Sequence, residues 1–217
     1  MSIDFQRVSV YLVTDPTLSN DRSELEVVRQ AAAGGVRLFQ YRDKLSSKRQ
    51  YLSKARALAA LCRELGVDLL LNDHVDVAAL VDCSGIHLGQ DDLPTAEARQ
   101  ILGSSKVIGR STHDAAQARE AMAQGADYIN IGPVFPTATK NTPVVPVGLE
   151  MVREIAKIST IPVTTMGGIT MDNAADVIRA GADHVAVVTA ITKAPDIAKA
   201  ARELVSLVES AREGARA

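Results

Sequence analysis

The stretches GADYINIG (residues 125–132) and GADHVAVV (residues 181–188) share one layout, in which a glycine suited to ending a helix is followed by a short apolar run. A glycine after a helix can adopt the left-handed backbone conformation without a Cβ clash. Apolar runs that directly follow helix ends are typical of the strands in βαβ units. The two stretches therefore predict a chain in which helices alternate with parallel strands.

Eight short β-rich runs of this kind are spread along the 217 residues. Several are almost continuously apolar, such as VSVYLV (8–13) and VDLLL (67–71), which favours parallel strands buried on both faces. Segments such as 51–65 and 197–208 have apolar residues spaced by three and four, which predicts amphipathic helices on the outside. We predict strands at 8–13, 36–41, 68–72, 85–88, 106–109, 127–131, 161–165 and 184–188.

Polar residues and glycines mark where the helices begin and end. Ser23 is followed three residues later by Glu26, a capping-box pattern, and Asp114 and Asp172 precede two further helical segments. Four glycines each follow a helical pattern and immediately precede a strand. We expect left-handed helix ends at Gly34, Gly66, Gly125 and Gly181.

Eight strand-helix units favour closure into a single (β/α)8 TIM barrel of the α/β class, with residues 1–217 forming one domain. The chain length suits this fold, because such barrels run to roughly 250 residues as one domain. An open doubly wound sheet stays open as an alternative, since the number of strands alone does not prove closure.

The composition excludes several functional classes. The formal charge of -2 implies no broad basic surface for nucleic acid. No segment reaches ~18 uninterrupted apolar residues, so we expect no membrane span. Charges at Asp4 and Arg7 are unlike a secretory signal, and we expect a cytoplasmic protein. Cys62 and Cys83 lack metal-ligand spacing, so reduced packing residues are expected.

Polar side chains collect at the predicted carboxyl ends of the strands, where the active sites of such barrels form. Arg42, Lys44 and Lys140 would place three cations around one mouth, while Asp73 and Asp92 add two oxygen ligands from neighbouring strands. Mg²⁺ is commonly held by one or two carboxylates together with water and phosphate oxygens. This set indicates a metal-bound polyphosphate site, although solvated surface ion pairs would give the same pattern.

A second anion site is indicated after the last two strands. Gly167 and Gly168 can offer unobstructed backbone N–H groups, and Thr189 adds a hydroxyl. Phosphate monoesters bind at this position in many barrels. A glycine pair can also serve only as a tight turn.

These motifs, taken in order, resemble the thiamine phosphate synthase family over nearly the whole chain. No single motif is specific, but ordered motifs at eight strand ends would hardly coincide by chance. The resemblance rests on YLVTD (11–15), FQYRDK (39–44), ND (72–73), HLGQDD (87–92), STH (111–113), GPVFPTATK (132–140), GGI (167–169) and VAVVTAI (185–191).

The resemblance implies an enzyme that couples hydroxymethylpyrimidine diphosphate to a thiazole phosphate, giving thiamine phosphate and diphosphate with Mg²⁺ as cofactor. It implies Asp73 and Asp92 as metal ligands and Ser111 and Lys140 as catalytic residues. The implied partners are small molecules, with a homo-oligomer left open. The residues implied for the pyrimidine diphosphate are Gln40, Arg42, Lys44, Asn72, Ser111 and Lys140, and those for the thiazole phosphate are Thr137, Thr139, Gly168, Val188 and Thr189.

The sequence departs from the family pattern at two positions. Thr189 stands where the family often has serine, and His184 stands where it often has glycine. A resembling thiazole tautomerase carries a histidine after the glycine of the sixth strand, whereas this chain has Pro133, which cannot move protons. A noncatalytic precursor-binding protein is a third reading. The role of His113 is left open, and packing is the expected role of His74, His87 and His184.

Overall fold

Eight parallel strands close into a barrel in chain order, with the last strand paired to the first. The structure is a computed structural model and describes residues 3–137 and 145–216. The predicted (β/α)8 fold is confirmed, and the open sheet is wrong. The strands are β1 Val10–Thr14, β2 Leu38–Tyr41, β3 Asp68–Asn72, β4 Gly85–Leu88, β5 Val107–Thr112, β6 Tyr128–Ile131, β7 Val163–Met166 and β8 His184–Val187.

Helices cover the outside of the barrel, and each buries one apolar stripe. Two 3-10 turns, Phe5–Arg7 and Pro16–Leu18, lie before the first helix. The helices are α1 Glu24–Ala33, α2 Lys48–Leu65, α3 Val75–Ala78, α4 Thr95–Leu102, α5 Ala115–Ala123, α6 Gly148–Ile158, α7 Ala174–Arg179, α8 Thr189–Thr192 and α9 Ile197–Arg216. In the described part of the chain, none of these helices could span a bilayer.

The strand prediction fails most clearly at β5, which was expected at 106–109 but continues to Thr112. Its last residues pair with β6, Ser111 opposite Asn130 and Thr112 opposite Ile131. The apolar pattern missed this extension because Arg110 and Ser111 are polar. The extra length places Ser111 on the strand itself.

The helix starts were predicted correctly at two positions and wrongly at a third. The Ser23 hydroxyl accepts from the Glu26 N–H at 3.2 Å, and Asp114 caps α5. The reciprocal capping box, however, lies at Ser47, at the start of α2. Asp172 does not cap α7, because Asn173 occupies that position. The Asn173 side chain instead bridges the turn after β7, accepting from the Thr170 N–H at 2.9 Å and donating to the Gly168 carbonyl at 3.0 Å.

The left-handed helix ends are confirmed at Gly66, Gly125 and Gly181. At Gly34 the expectation is wrong, since its φ is -82° and the next residue, Gly35, takes φ 102°. Gly34 is required for space: a Cβ there would lie 2.4 Å from the Ala198 carbonyl oxygen of α9.

The amino-terminal end of the barrel is filled by aromatic side chains. The Phe5 ring lies 5.4 Å from Tyr128 and 5.5 Å from His184, between ring centroids. The His184 Nε2 is 2.9 Å from the Phe5 carbonyl oxygen, and burial lowers the pKa of the imidazole to about 4. His184 is therefore a neutral packing residue, as expected, at the end of the barrel opposite the predicted mouth.

Candidate active site

The loop after β2 carries two of the predicted diphosphate ligands, Arg42 and Lys44. Arg42 forms an ion pair with Asp15, which follows β1, and Lys44 forms one with Asp73, which follows β3. The Asp15 carboxylate also accepts from the Thr17 hydroxyl at 2.6 Å. Three neighbouring strand ends therefore bring two cations and two carboxylates together.

Asp43 holds this loop in shape. Its side chain is fully buried and accepts from the Leu45 N–H at 2.9 Å, from the Ser46 hydroxyl at 2.7 Å and from Lys54 at 2.9 Å. Burial alone would raise the pKa of this carboxyl, but the hydrogen bonds outweigh it and hold the pKa well below its usual value. Because these hydrogen bonds fix Asp43, they also hold the backbone on either side of it, which carries Arg42 and Lys44.

The two predicted metal ligands lie side by side. Asp73 has a left-handed backbone with φ 62°, and its carboxylate accepts from the Asn72 amide at 2.6 Å. The Asp92 carboxylate accepts from the Gly89 N–H at 2.6 Å. Burial and the neighbouring Asp73 carboxyl raise the pKa of Asp92. Two carboxylates in contact disfavour full ionisation, and the pKa of Asp92 stays raised although Lys44 lies beside the pair, so the pair fits an added divalent metal.

The donor set suits Mg²⁺ better than a metal held by protein ligands alone. Among residues 3–137 and 145–216, no cluster of three or more His, Cys, Asp or Glu could hold a metal ion. Mg²⁺ usually keeps several waters and takes one or two carboxylates plus substrate phosphate oxygens. Asp73 and Asp92 would supply those two carboxylates.

A cavity of about 140 Å³ opens beside this charged cluster, at the ends of β5 to β8. It brings together Ser111 and the described residues predicted for the thiazole phosphate, Thr137, Gly168, Val188 and Thr189. His113 also lines it, with Nδ1 2.5 Å from the Gly132 carbonyl oxygen. Thr139 and Lys140 lie outside the described residues.

Backbone forms the wall of this cavity at the glycine pair. Gly167 and Gly168 have φ 98° and 66°, and a Cβ on Gly168 would lie 2.6 Å from the Pro136 carbonyl oxygen. The segment after β6 is held against this turn, since the Phe135 N–H donates to the Gly167 carbonyl at 3.0 Å. Glycine is needed here both for conformation and for close approach.

Two predicted residues, Gln40 and Ser111, are joined through the barrel interior. The Gln40 amide donates to the Tyr11 hydroxyl, which lies 3.0 Å from the Tyr128 hydroxyl. His87 connects Tyr128 to Ser111, with Nδ1 2.7 Å from the phenol and Nε2 2.9 Å from Oγ. His87 is buried, as expected of a packing residue, but it also contacts the predicted catalytic serine.

Sequence reasoning missed Asp15, Asp43, Tyr11, Tyr128 and the Ser111 contact of His87. Asp15 and His87 lie within motifs that were used for the family resemblance, so their position at strand ends was available as a signal. Tyr11 also lies within such a motif, but both tyrosines are inside strands, where an apolar pattern predicts only that they are buried.

Comparisons with known proteins show the family to which the chain belongs. The family model described as thiamine monophosphate synthase matches residues 10–191. The thiamine-phosphate synthase of Chloroflexus aurantiacus is 46% identical over 206 residues, covering 95% of each chain. That of Shouchella clausii is 44% identical over 204 residues, covering 94% of this chain and 98% of the relative.

A solved structure shows the same fold over almost the full length. Thiamine phosphate pyrophosphorylase from Pyrococcus furiosus superposes with a TM-score of 0.87 at 37% identity, covering 95% of this chain and 98% of the other. The match in sequence and fold spans both the charged cluster and the neighbouring cavity. The chain belongs to the thiamine monophosphate synthase family.

Proposed function

We propose that this enzyme joins hydroxymethylpyrimidine diphosphate to a thiazole phosphate, forming thiamine phosphate and releasing diphosphate. The observation that carries the proposal is the division of the barrel mouth into two unlike halves. One half holds two cations and a carboxylate pair, and the other is a cavity with a glycine wall and hydroxyls. Ser111, at the end of β5, lies where the halves meet.

The charged half would bind the pyrimidine diphosphate. Arg42 can pair with phosphate oxygens through its planar guanidinium, and Lys44 supplies a compact charge. Both cations are held by carboxylates in the structure, so substrate would exchange Asp15 and Asp73 for phosphate as their partners. Gln40 and Asn72, buried between these loops, would contact the substrate from below.

Asp73 and Asp92 would hold Mg²⁺, which when bound supplies positive charge against the diphosphate. Lys44 already contacts Asp73, so it can help to balance the carboxylate pair and the incoming phosphates. The resemblance adds Lys140 to this half, and its position in the chain, shortly after β6, is compatible with that role.

The cavity half would bind the thiazole phosphate. Thr189 and Thr137 can donate hydroxyl hydrogen bonds to phosphate, and the Gly168 turn leaves room for it to approach the backbone. Val188 would contact the ring. Thr139, assigned here by the resemblance alone, is proposed for the same phosphate.

The reaction needs no protein nucleophile. The bond between the pyrimidine methylene carbon and the diphosphate oxygen breaks, and its electron pair leaves with diphosphate. The electron-rich aminopyrimidine stabilises the resulting cation, and the thiazole nitrogen donates its lone pair to the methylene carbon. The protein would hold both substrates in line, stabilise the departing charge through Arg42, Lys44 and Ser111, and exclude water, which would otherwise capture the cation.

The experiment is to supply purified protein with the pyrimidine diphosphate, the thiazole phosphate and Mg²⁺ and to measure diphosphate and thiamine phosphate. We expect equal amounts of the two products, and neither when any one component is omitted. Conversion of the thiazole phosphate alone would indicate a tautomerase, and binding by folded protein without turnover would indicate a noncatalytic sensor. Either outcome would overturn the proposal.

A further inference from the structure

Four buried polar side chains and the partly exposed Ser111 form one continuous hydrogen-bonded chain across the barrel interior. It runs from Gln40 on β2 through Tyr11 on β1, Tyr128 on β6 and His87 on β4 to Ser111 on β5. The two tyrosines are 0% exposed and His87 is 4% exposed. We call this series of side chains the interior chain; up to Ser111, which lines the cavity, it is screened from bulk water.

One order of donors and acceptors gives every hydrogen of the interior chain a partner. The amide nitrogen of Gln40 can only donate, so the Tyr11 hydroxyl accepts from it, and every hydroxyl hydrogen has a partner when Tyr11 in turn donates to the Tyr128 hydroxyl. In that order the Tyr128 hydroxyl donates to His87 Nδ1. A neutral imidazole that accepts at Nδ1 carries its hydrogen on Nε2, which donates to Ser111 Oγ.

Burial keeps the two tyrosines of the interior chain protonated. It raises the pKa of Tyr11 and of Tyr128 above the usual value of 10 for tyrosine, so both phenols stay protonated at neutral pH. Each phenol can therefore accept one hydrogen bond while donating another. The order set at Gln40 is passed on at each step without any proton transfer.

We propose that His87 is a positioning residue that holds Ser111 as an acceptor on its inner side, so that the serine hydroxyl hydrogen is directed into the barrel mouth. This inference rests on the proposed function, in which Ser111 faces the departing diphosphate. A directed O–H would donate to the oxygen that gains charge as the carbon-oxygen bond breaks. The role of the interior chain is orientation, and no bond is made or broken within it.

Gln40 would link this orientation to substrate binding. Its amide nitrogen is committed to Tyr11, which leaves the amide oxygen as an acceptor. Of the two proposed substrates, the aminopyrimidine carries the N–H donors. A pyrimidine amine bound to that oxygen would favour the same amide orientation and hence the same direction at Ser111.

The order can be measured without substrates. The chain has 4 histidines, so ¹⁵N-histidine labelling with His87→Gln as the assignment variant gives the tautomer of His87 by NMR. We expect the hydrogen on Nε2 and an unprotonated Nδ1. A hydrogen on Nδ1 would mean the reverse order, with Ser111 donating inward, and would overturn the proposal even if the enzyme turns over.

A double-mutant cycle tests the consequence for turnover. Tyr128→Phe should lower kcat about tenfold, equivalent to about 1.4 kcal/mol, and change the KM of either substrate less than about twofold. In a Ser111→Ala background, Tyr128→Phe should cost nothing further, because the group that it orients is absent. Equal losses in both backgrounds would show a general structural effect and overturn the proposal.

Two controls keep this test decisive. If Tyr128→Phe fails to fold, Tyr11→Phe interrupts the interior chain one step earlier and is assessed in the same cycle. If the wild-type protein does not couple the two substrates, the proposed function fails, while the NMR tautomer still decides the order of the interior chain.

Discussion

Gly168→Ala tests whether the cavity wall needs glycine for close approach, and Gly66→Ala is the matched control. The two residues have nearly equal φ values, 66° and 64°. A Cβ on Gly168 would lie 2.6 Å from the Pro136 carbonyl oxygen and 2.8 Å from the Phe135 Cβ. Among the residues that the structure describes, no atom other than those of Gly66 and its two chain neighbours lies within 4 Å of a Cβ built on Gly66.

The two variants should therefore differ by the steric contribution alone. An alanine in the left-handed conformation lowers the free energy of unfolding by about 1–2 kcal/mol, and this loss applies to both variants. Overpacking adds about 1–3 kcal/mol at Gly168 only. Because relief of the clash would move the wall of the cavity, we also expect the KM for the thiazole phosphate to rise about tenfold or more in Gly168→Ala and to stay unchanged in Gly66→Ala.

Urea denaturation gives the free energy of unfolding, and steady-state kinetics give both KM values. If Gly168→Ala loses no more stability than Gly66→Ala and keeps its KM for the thiazole phosphate, the contact between the glycine turn and residues 135–136 does not shape the site. The reasoning would then be refuted.

Two further variants test the charged half. Asp92→Asn should raise the melting temperature of the metal-free protein. Because the pKa of the Asp92 carboxyl is raised in the folded protein, the protein loses stability as pH rises through that pKa, and asparagine removes this loss. The variant should also lose the stabilisation by Mg²⁺. A metal-free melting temperature below that of the wild-type protein would contradict the first of these two expectations. Asp43→Asn should cost about 2 kcal/mol at pH 7 by urea denaturation. Since the pKa of Asp43 is lowered, its contribution is present above the usual pKa of 3.8 and shrinks below it. A cost that stays constant below that pH would argue against a stabilising Asp43 carboxylate.

The fold was predictable because both faces of each strand are buried. A strand such as β3, with Leu69, Leu70 and Leu71 all buried, is apolar whichever way its side chains point, so the run stands out in the sequence. The end of β5 was not predictable in this way. Ser111 faces the mouth, where a polar side chain belongs, and therefore breaks the apolar pattern.

The residues of the candidate site were predictable where a charged side chain directly follows a predicted strand. Arg42, Lys44, Asp73 and Asp92 are charged residues directly after strands, and the barrel brings strand ends together. The structure places these four residues at one side of the mouth. Their assignment to substrate and metal stays a prediction, as do the assignments of Thr139 and Lys140.

The supporting residues could not be predicted, because their roles depend on contacts between distant parts of the chain. Tyr11 and Tyr128 are 117 positions apart, yet their hydroxyls lie 3.0 Å from each other. Asp15 and Arg42 are 27 positions apart and form an ion pair. Spacing and periodicity describe one element at a time, and neither specifies which side chains meet inside a closed barrel.

The central claim is that the mouth binds two anionic substrates in separate halves, and a crossed kinetic comparison tests it most directly. Lys44→Met removes a charge from one half, and Thr189→Val removes a hydroxyl from the other. Lys44→Met should raise the KM for the pyrimidine diphosphate about tenfold or more, and Thr189→Val should raise that for the thiazole phosphate about three- to tenfold. In each variant the KM of the other substrate should change less than about twofold. If each variant instead weakened both substrates equally, or weakened the opposite one, the division of the mouth would be wrong.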